Sequence, residues 1–564
     1  MQFSKMKYER VPIDELLHEF AGIAKKIEAA SGAEETLALF WQYEQIAQAI
    51  TTAQAIAEIR HTINTEDAFY EEENNFYDAN SPRLSDAMLK VYNALLSSKY
   101  KAEIEKSLGG LLIEKLEQNV KSMSPLILEL MAQENELTTQ YVKLYASAQI
   151  ELDGKKLTVS EMSPYKQSTD RAVRESAYRA EGEWFDANAK ELDELYDKLV
   201  HNRNAQGRAM GYDNYIPLAV IRMHRIGYTL EDMQSFREQI VSDVVPIVAK
   251  LKDLQKKRVG IDDFKFWDDS FCFKDGNAIP KGSPEELLLA GQEMYHELSS
   301  ETSAFIDMMT KNDLFDVLSK KGKAPGGYCT YIPGYKAPFI FSNFNGTADD
   351  VDVLTHEAGH AFAAYIAAGK DLASELEEPG MESCEIHSMS MEFLTADYHN
   401  LFFKEDTAKY ELAHAEDAMY FLPYGTMVDE FQHIMYANEN LTPSQRNEEW
   451  LRLEHKYRPW IDFDNLPFYA RGAGWQRQLH IYEYPFYYID YCLAQSVALQ
   501  FFIAFNNDKK DAWKRYVKLV GKAGTESYSQ LVETAGFKSP FKYGTMKQIS
   551  NAVYDWIINY KEIQ

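Results

Sequence analysis

Thr355-His356-Glu357-Ala358-Gly359-His360-Ala361-Phe362 places two histidines four residues apart with a glutamate directly after the first. In a helix such positions lie about 40° apart around the axis and one turn along it, so both imidazoles reach one ion. Glu357 sits a further step round, free of the ion and close enough to take a proton from water activated there. The plainer reading is a buried helix whose histidines only make hydrogen bonds, and for a lone histidine it would be preferred. A pair at this spacing with its glutamate, in a chain of 13 histidines, favours a metal.

On this helix His360, Val353, Ala363 and Ala367 lie on the side of His356, while Val351, Leu354, Ala358, Ala361, Phe362 and Tyr365 lie opposite. The large apolar residues can anchor the helix, and the alanines leave room beside the imidazoles. Thr347-x-x-Asp350 reads as its capping-box start and Gly369 as its stop. Just upstream, Gly326-Gly327-Tyr328-Cys329-Thr330-Tyr331-Ile332 and Pro338-Phe339-Ile340-Phe341-Ser342-Asn343-Phe344 are rich in aromatic and β-branched residues. They read as two short strands that lead into the helix through Asn345-Gly346. An edge strand in that place can take up a peptide backbone by strand addition.

Catalytic zinc usually has three protein ligands and an open position. A third histidine at the compact spacing would fall on Ile366, and a glutamate about twenty residues past His360 would fall on Pro379 or Gly380, none of which ligates. After the Glu378-Pro379-Gly380 break, Met381 to Phe393 resumes helical spacing and offers Glu382, Glu385, His387 and Glu392. Glu385 and Glu392 are seven apart on one face, so one can ligate while the other holds a ligand or the substrate. The residues alone leave the choice open.

At 564 residues the chain can bury a large core in two or more lobes. Hydrophobic residues make up 45% and charged residues 26%, as in a globular protein. A net charge of −28 repels nucleic acid and anionic membrane surfaces, so neither is expected as a partner. Cys272, Cys329, Cys384 and Cys492 show no disulfide or C-x-x-C spacing, which fits a reducing, cytoplasmic setting. Met1 to Arg10 lacks the apolar run of a signal peptide, and no later stretch reads as apolar for the length of a bilayer. Ile13 to about Ser147 has the three-and-four spacing of amphipathic helices, and Gln149 to Val159 alternates on either side of Asp153-Gly154 as a hairpin. The expected division is a helical region over 1–160 and a site-bearing region over 161–564.

His356-Glu357-x-x-His360 with Glu385 twenty-five positions on, in a Glu-Ile-x-Ser-x-x-x-Glu context, resembles the thimet oligopeptidase and oligoendopeptidase F family of zinc peptidases. The likeness extends to the Gly-Gly-Tyr-Cys and Pro-Phe-Ile-Phe strands, to Gly211-Tyr212-Asp213-Asn214-Tyr215 and to a C-terminal tyrosine region, covering roughly residues 200 to 510. It implies one Zn2+ per chain held by His356, His360 and Glu385, Glu357 as general base, and oligopeptides as substrates. The fold expected is mainly α, zincin-like, with two helical lobes enclosing a deep substrate channel and a small β-sheet next to the zinc-binding helix.

Tyr469 to Tyr491 is the tyrosine region. Pro485 suits the first turn of a helix on which Tyr484, Tyr488 and Tyr491 share a face. Such a stripe is more often core than site, but peptide hydrolysis passes through an oxyanion that needs donors such as His N–H and Tyr O–H. The resemblance implies that His480, Tyr488 and Tyr491 stabilise the transition state and that Tyr484 contacts substrate. Larger relatives carry a Gly pair between this histidine and the first tyrosine, and this chain does not. Gly326, Gly327 and Tyr328 are further candidate substrate contacts. Cys384 and Cys492 lack a paired base and read as small buried hydrophobes rather than nucleophiles. Two rivals remain: a metallo-exopeptidase, which needs groups that capture a peptide terminus, and a non-catalytic peptide-binding protein with a structural zinc.

Overall fold

Alanine, leucine, glutamate and lysine, which lose little on entering a helix, dominate the first 150 residues. The α-helices there are Ile13–Ala29, Ala33–Ile63, Ala68–Leu96, Lys101–Leu108, Gly110–Ser122 and Leu128–Ala146. Asp67 caps the third by accepting the N–H groups of Phe69 and Tyr70. Phe20, Phe40, Tyr43, Ile50, Leu84, Val91, Ile104 and Leu116 interlock as one buried cluster. Each such side chain contributes about 1.5–3 kcal/mol by leaving water.

The structure is a computed structural model that describes residues 1–560 apart from Pro325, Asn345, Gly346, Asp371 and Glu378. The expected Asn345-Gly346 connection and the Glu378 end of the break before Met381 therefore lie outside the described residues. Two compact units emerge. The first gathers Met1–Lys121, Ile279–Thr407 and Gln500–Phe537, and the second Ser122–Ala278, Ala408–Leu499 and Lys538 onward.

In the second unit the hairpin forms from β1 (Ile150–Leu152) and β2 (Lys155–Leu157), with Ile150 opposite Leu157. Asp153 and Gly154 both take positive φ, 50° and 75°, the geometry that suits a tight two-residue turn. In the first unit β3 (Phe315–Leu318), β4 (Tyr328–Ile332) and β5 (Ala337–Phe344) make a sheet in the order β3-β5-β4. β4 and β5 are the two expected strands, antiparallel with Cys329 opposite Ile340. β3 pairs parallel to β5. It is too short for periodicity to tell from the end of the preceding helix.

Helix Ala348–Ala367 carries the two histidines and packs on β4 and β5. Its N-cap Thr347 is extended, with φ −98° and ψ 168°. Val351, Leu354, Ala358, Ala361 and Phe362 are buried. Helix Met381–Leu394 lies against it. The contact is close because of Gly359, where a Cβ would stand 2.7 Å from both the His387 carbonyl oxygen and Ser388 Cα.

Two expectations need correcting. Helix Tyr488–Asn507 is long and apolar enough to cross a bilayer, contrary to the reading that no stretch is. In this structure 72% of that apolar window is buried, and Ile489, Leu493, Val497 and Phe501 are core residues. Pro485 also does not open that helix. Phe486 adopts φ 70°, its N–H donates to Gln432 Oε1 and its carbonyl accepts from Arg225, so the helix begins only at Tyr488. Tyr484 is thereby left off the helix, 62% exposed.

Candidate active site

The helical spacing brings the His356 and His360 rings to 5.0 Å between centroids, nearly perpendicular. Helix Met381–Leu394 supplies the third group. Glu385 Oε2 lies 3.2 Å from His356 Nε2 and 3.7 Å from His360 Nε2. Among the described residues these three form the cluster able to hold a metal, each offering an atom within 4.8 Å of the others. Ligand atoms about 2.0–2.2 Å from one small cation stand roughly 3.3–3.6 Å apart at tetrahedral angles. The two Glu385 separations bracket that value, so this donor set suits a small cation. Of the four candidates past Gly380, Glu382 and His387 do not join the cluster.

A second carboxylate fixes the first histidine. His356 Nδ1 lies 2.8 Å from Glu392 Oε1, which leaves Nε2 pointed at Glu385. The Ser388 hydroxyl donates to Glu385 Oε2 at 3.0 Å, and the Tyr516 hydroxyl donates to the His387 carbonyl at 2.8 Å. Ser388 follows Glu385 by one helical turn, so its contact was open to a reading by spacing. The role of Gly359 was not, because it concerns a different helix.

Charges follow from this packing. Burial opposes a charge on His356, but the hydrogen bonds and charges of Glu385 and Glu392 outweigh it and hold its pKa well above the usual value. Burial lowers His360 to about 4, with Glu385 opposing only in part. Glu357 is buried beside the cluster; burial, offset by His356 and reinforced by Glu385, raises its carboxyl to about 7, and the Cys329 backbone N–H donates to it. A carboxyl with a pKa near neutrality is suited to taking and returning a proton. Through Cys329, the start of outer strand β4 touches the same group.

Gly326, Gly327 and Tyr328 lead into that strand. Gly326 has φ 91°, and its carbonyl accepts from Asn343 Nδ2 at 2.9 Å. A Cβ on Gly327 would stand 3.3 Å from Val353 Cγ1, on the histidine side of the helix. The Tyr328 ring stacks on Phe341 at 4.8 Å, and its hydroxyl meets Thr62 Oγ1 at 2.6 Å.

His480, Tyr488 and Tyr491 belong to the second unit and gather there. Ring centroids of Tyr488 and Tyr491 lie 4.9 and 5.9 Å from that of His480 and 5.7 Å from each other. Tyr487, not singled out in the sequence, joins them at 5.7 Å from His480. Burial holds the Tyr488 hydroxyl well above its ordinary pKa, so it stays a donor. Cys492 is fully buried and its thiol pushed up by burial, and a Cβ on Gly425 would collide with its sulfur. It packs as a small hydrophobe.

The pattern described as Peptidase M3 N-terminal domain matches residues 3–123, and that described as Peptidase family M3 matches residues 164–550. Among solved structures, PZ peptidase A with an inhibitor is 41% identical with a TM-score of 0.94, and each chain covers 100% of the other. Oligopeptidase PepF of Bacillus subtilis is 23% identical over 393 residues, 66% of this chain and 55% of its own. The chromosomal oligoendopeptidase F of Lactococcus lactis subsp. cremoris is 25% identical over 371 residues, 61% of this chain and 56% of its own. The matches thus span a little over half the length of these curated relatives.

Proposed function

This chain belongs to peptidase family M3, and from that premise we propose that it is a zinc-dependent endopeptidase of oligopeptides. The observation that carries the reading is the His356, His360 and Glu385 cluster with buried Glu357 beside it. Two imidazole nitrogens and one carboxylate oxygen are a donor set that suits zinc. When bound there, zinc supplies Lewis acidity toward the scissile carbonyl and toward water. Glu357 takes the proton from the attacking water and later delivers it to the leaving amine. The N–H of His480 and the hydroxyls of Tyr488 and Tyr491 donate to the developing oxyanion, while Gly326, Gly327, Tyr328 and Tyr484 contact the peptide.

β4 supports peptide recognition through its backbone, since an outer strand can accept an extended peptide. Four cysteines with no disulfide between them support a reducing, cytoplasmic setting. An internally quenched peptide with both ends blocked tests the reading. Cleavage that stops with chelator and returns with zinc is expected. Turnover only of peptides with a free terminus would instead support the exopeptidase.

A further inference from the structure

Within the second unit, the residue that contacts the ring of His480 at Nδ1 is Gln478. Its Nε2 lies 3.0 Å from His480 Nδ1, and its Oε1 accepts from the Tyr424 hydroxyl at 2.8 Å. Gln478 sits at a junction in extended conformation, between the short turn Gly474–Arg477 and helix Leu479–Glu483. Tyr424 comes from helix Thr407–Ala437, with the Arg458 guanidinium 4.9 Å over its ring and the Tyr488 ring edge-on at 5.9 Å. Two parts of the chain thus meet through one amide.

We infer that Gln478, itself held by Tyr424, is a positioning residue that fixes His480 as the tautomer carrying its proton on Nε2. This rests on the reading above, in which His480 donates to the oxyanion. A phenol donates better than it accepts, because conjugation into the ring drains its oxygen lone pairs. The Tyr424 hydroxyl keeps its proton, burial pushing its pKa up to about 12. It therefore takes the amide oxygen, which turns the amide NH2 toward His480. An NH2 facing Nδ1 requires a lone pair on Nδ1, and a neutral imidazole then carries its hydrogen on Nε2. The opposite tautomer would present a lone pair to an oxyanion and repel it.

Glutamate at 478 would reverse the logic. Its carboxylate accepts from Nδ1–H and raises the pKa of His480. While the ring is protonated, Nε2–H remains and the donor survives. When the ring loses a proton, the carboxylate keeps the hydrogen on Nδ1 and Nε2 is left bare. Activity of Gln478→Glu should therefore fall as pH rises through the imidazole titration, a limb the parent should lack. Among the described residues, the titratable side chains in ring contact with His480 include Tyr487, Tyr488 and Tyr491, with Tyr424 behind the amide. A phenol ordinarily titrates well above an imidazole, and burial raises Tyr424 and Tyr488 further.

The test measures kcat and KM on the blocked, quenched peptide between about pH 5.5 and 9 for the parent, Gln478→Ala, Gln478→Glu, Tyr424→Phe and His480→Ala, with zinc content alongside. Removal of a whole oxyanion donor costs about 100- to 1000-fold in kcat, the range expected for His480→Ala. Gln478→Ala should lower kcat about tenfold or more with little change in KM, Tyr424→Phe less, and Gln478→Glu should add the alkaline limb, all with unchanged zinc. A loss in His480→Ala with full kcat in Gln478→Ala, or a Gln478→Glu profile that superimposes on the parent, overturns the inference alone. Full activity in His480→Ala overturns the assignment of His480 and the inference with it.

Discussion

A histidine that is to bind a metal has to present one ring nitrogen and anchor the other, and His356 is placed for both, with Glu392 at Nδ1 and Glu385 at Nε2. In the proposed reading, Glu392→Gln should weaken zinc binding about 10- to 100-fold, since outer partners of ligating histidines typically matter to that extent. Competition with a chromophoric chelator reads this directly, and an unchanged affinity would show that Glu392 does not support the ligand. His356, Glu357 and His360 were legible in the sequence because four-residue spacing on one helix is local geometry. Glu385 was not, since four acceptable side chains followed Gly380 and only resemblance separated them. Gln478 and Tyr424 were invisible for a related reason: their contact depends on helix Thr407–Ala437 meeting the turn before His480.

At the scale of elements, the site depends on how closely two helices approach. A methyl group on Gly359 would press on backbone atoms of helix Met381–Leu394, which cannot rotate away as a side chain tip can. Gly359→Ala should cost about 1–3 kcal/mol of stability and weaken metal binding together; thermal melts with metal titration check both, and an unperturbed variant would mean the contact is looser than described. The segment joining these helices is also held from the N-terminal helices. Glu44 Oε2 accepts from the Ser374 N–H and hydroxyl at 2.7 and 2.8 Å. Burial, reinforced by Glu375, raises the Glu44 carboxyl to about 8. Its proton is thus held more tightly folded than unfolded, so the contribution is full below the unfolded value near 4.5 and is lost as pH rises through about 8. Glu44→Gln should flatten the decline in Tm between about pH 6 and 9, a difference of roughly 1–3 °C. Parallel melts of parent and variant would contradict the burial argument. The hairpin, β4, β5 and the histidine helix were legible from alternation, turn residues and helical spacing. β3 was too short to read, and the delayed start at Tyr488 follows from tertiary bonds to Gln432 and Arg225.

At the scale of the whole molecule, periodicity identified helices but could not tell which join one core. Each compact unit draws on three separate stretches, so neighbours in sequence such as Lys121 and Ser122 fall in different units. The apolar helix Tyr488–Asn507 makes the same point: its composition suits a bilayer, while in the fold its side chains fill a core. In the proposed reading Glu357, buried beside three groups placed to hold a metal, moves the proton in peptide hydrolysis. Glu357→Gln keeps size and removes only that capacity. The decisive measurement is turnover of the blocked, quenched peptide by this variant with its zinc content determined on the same sample. The account predicts one zinc per chain and a loss of at least about 100-fold in kcat. Full zinc with parental turnover would contradict it.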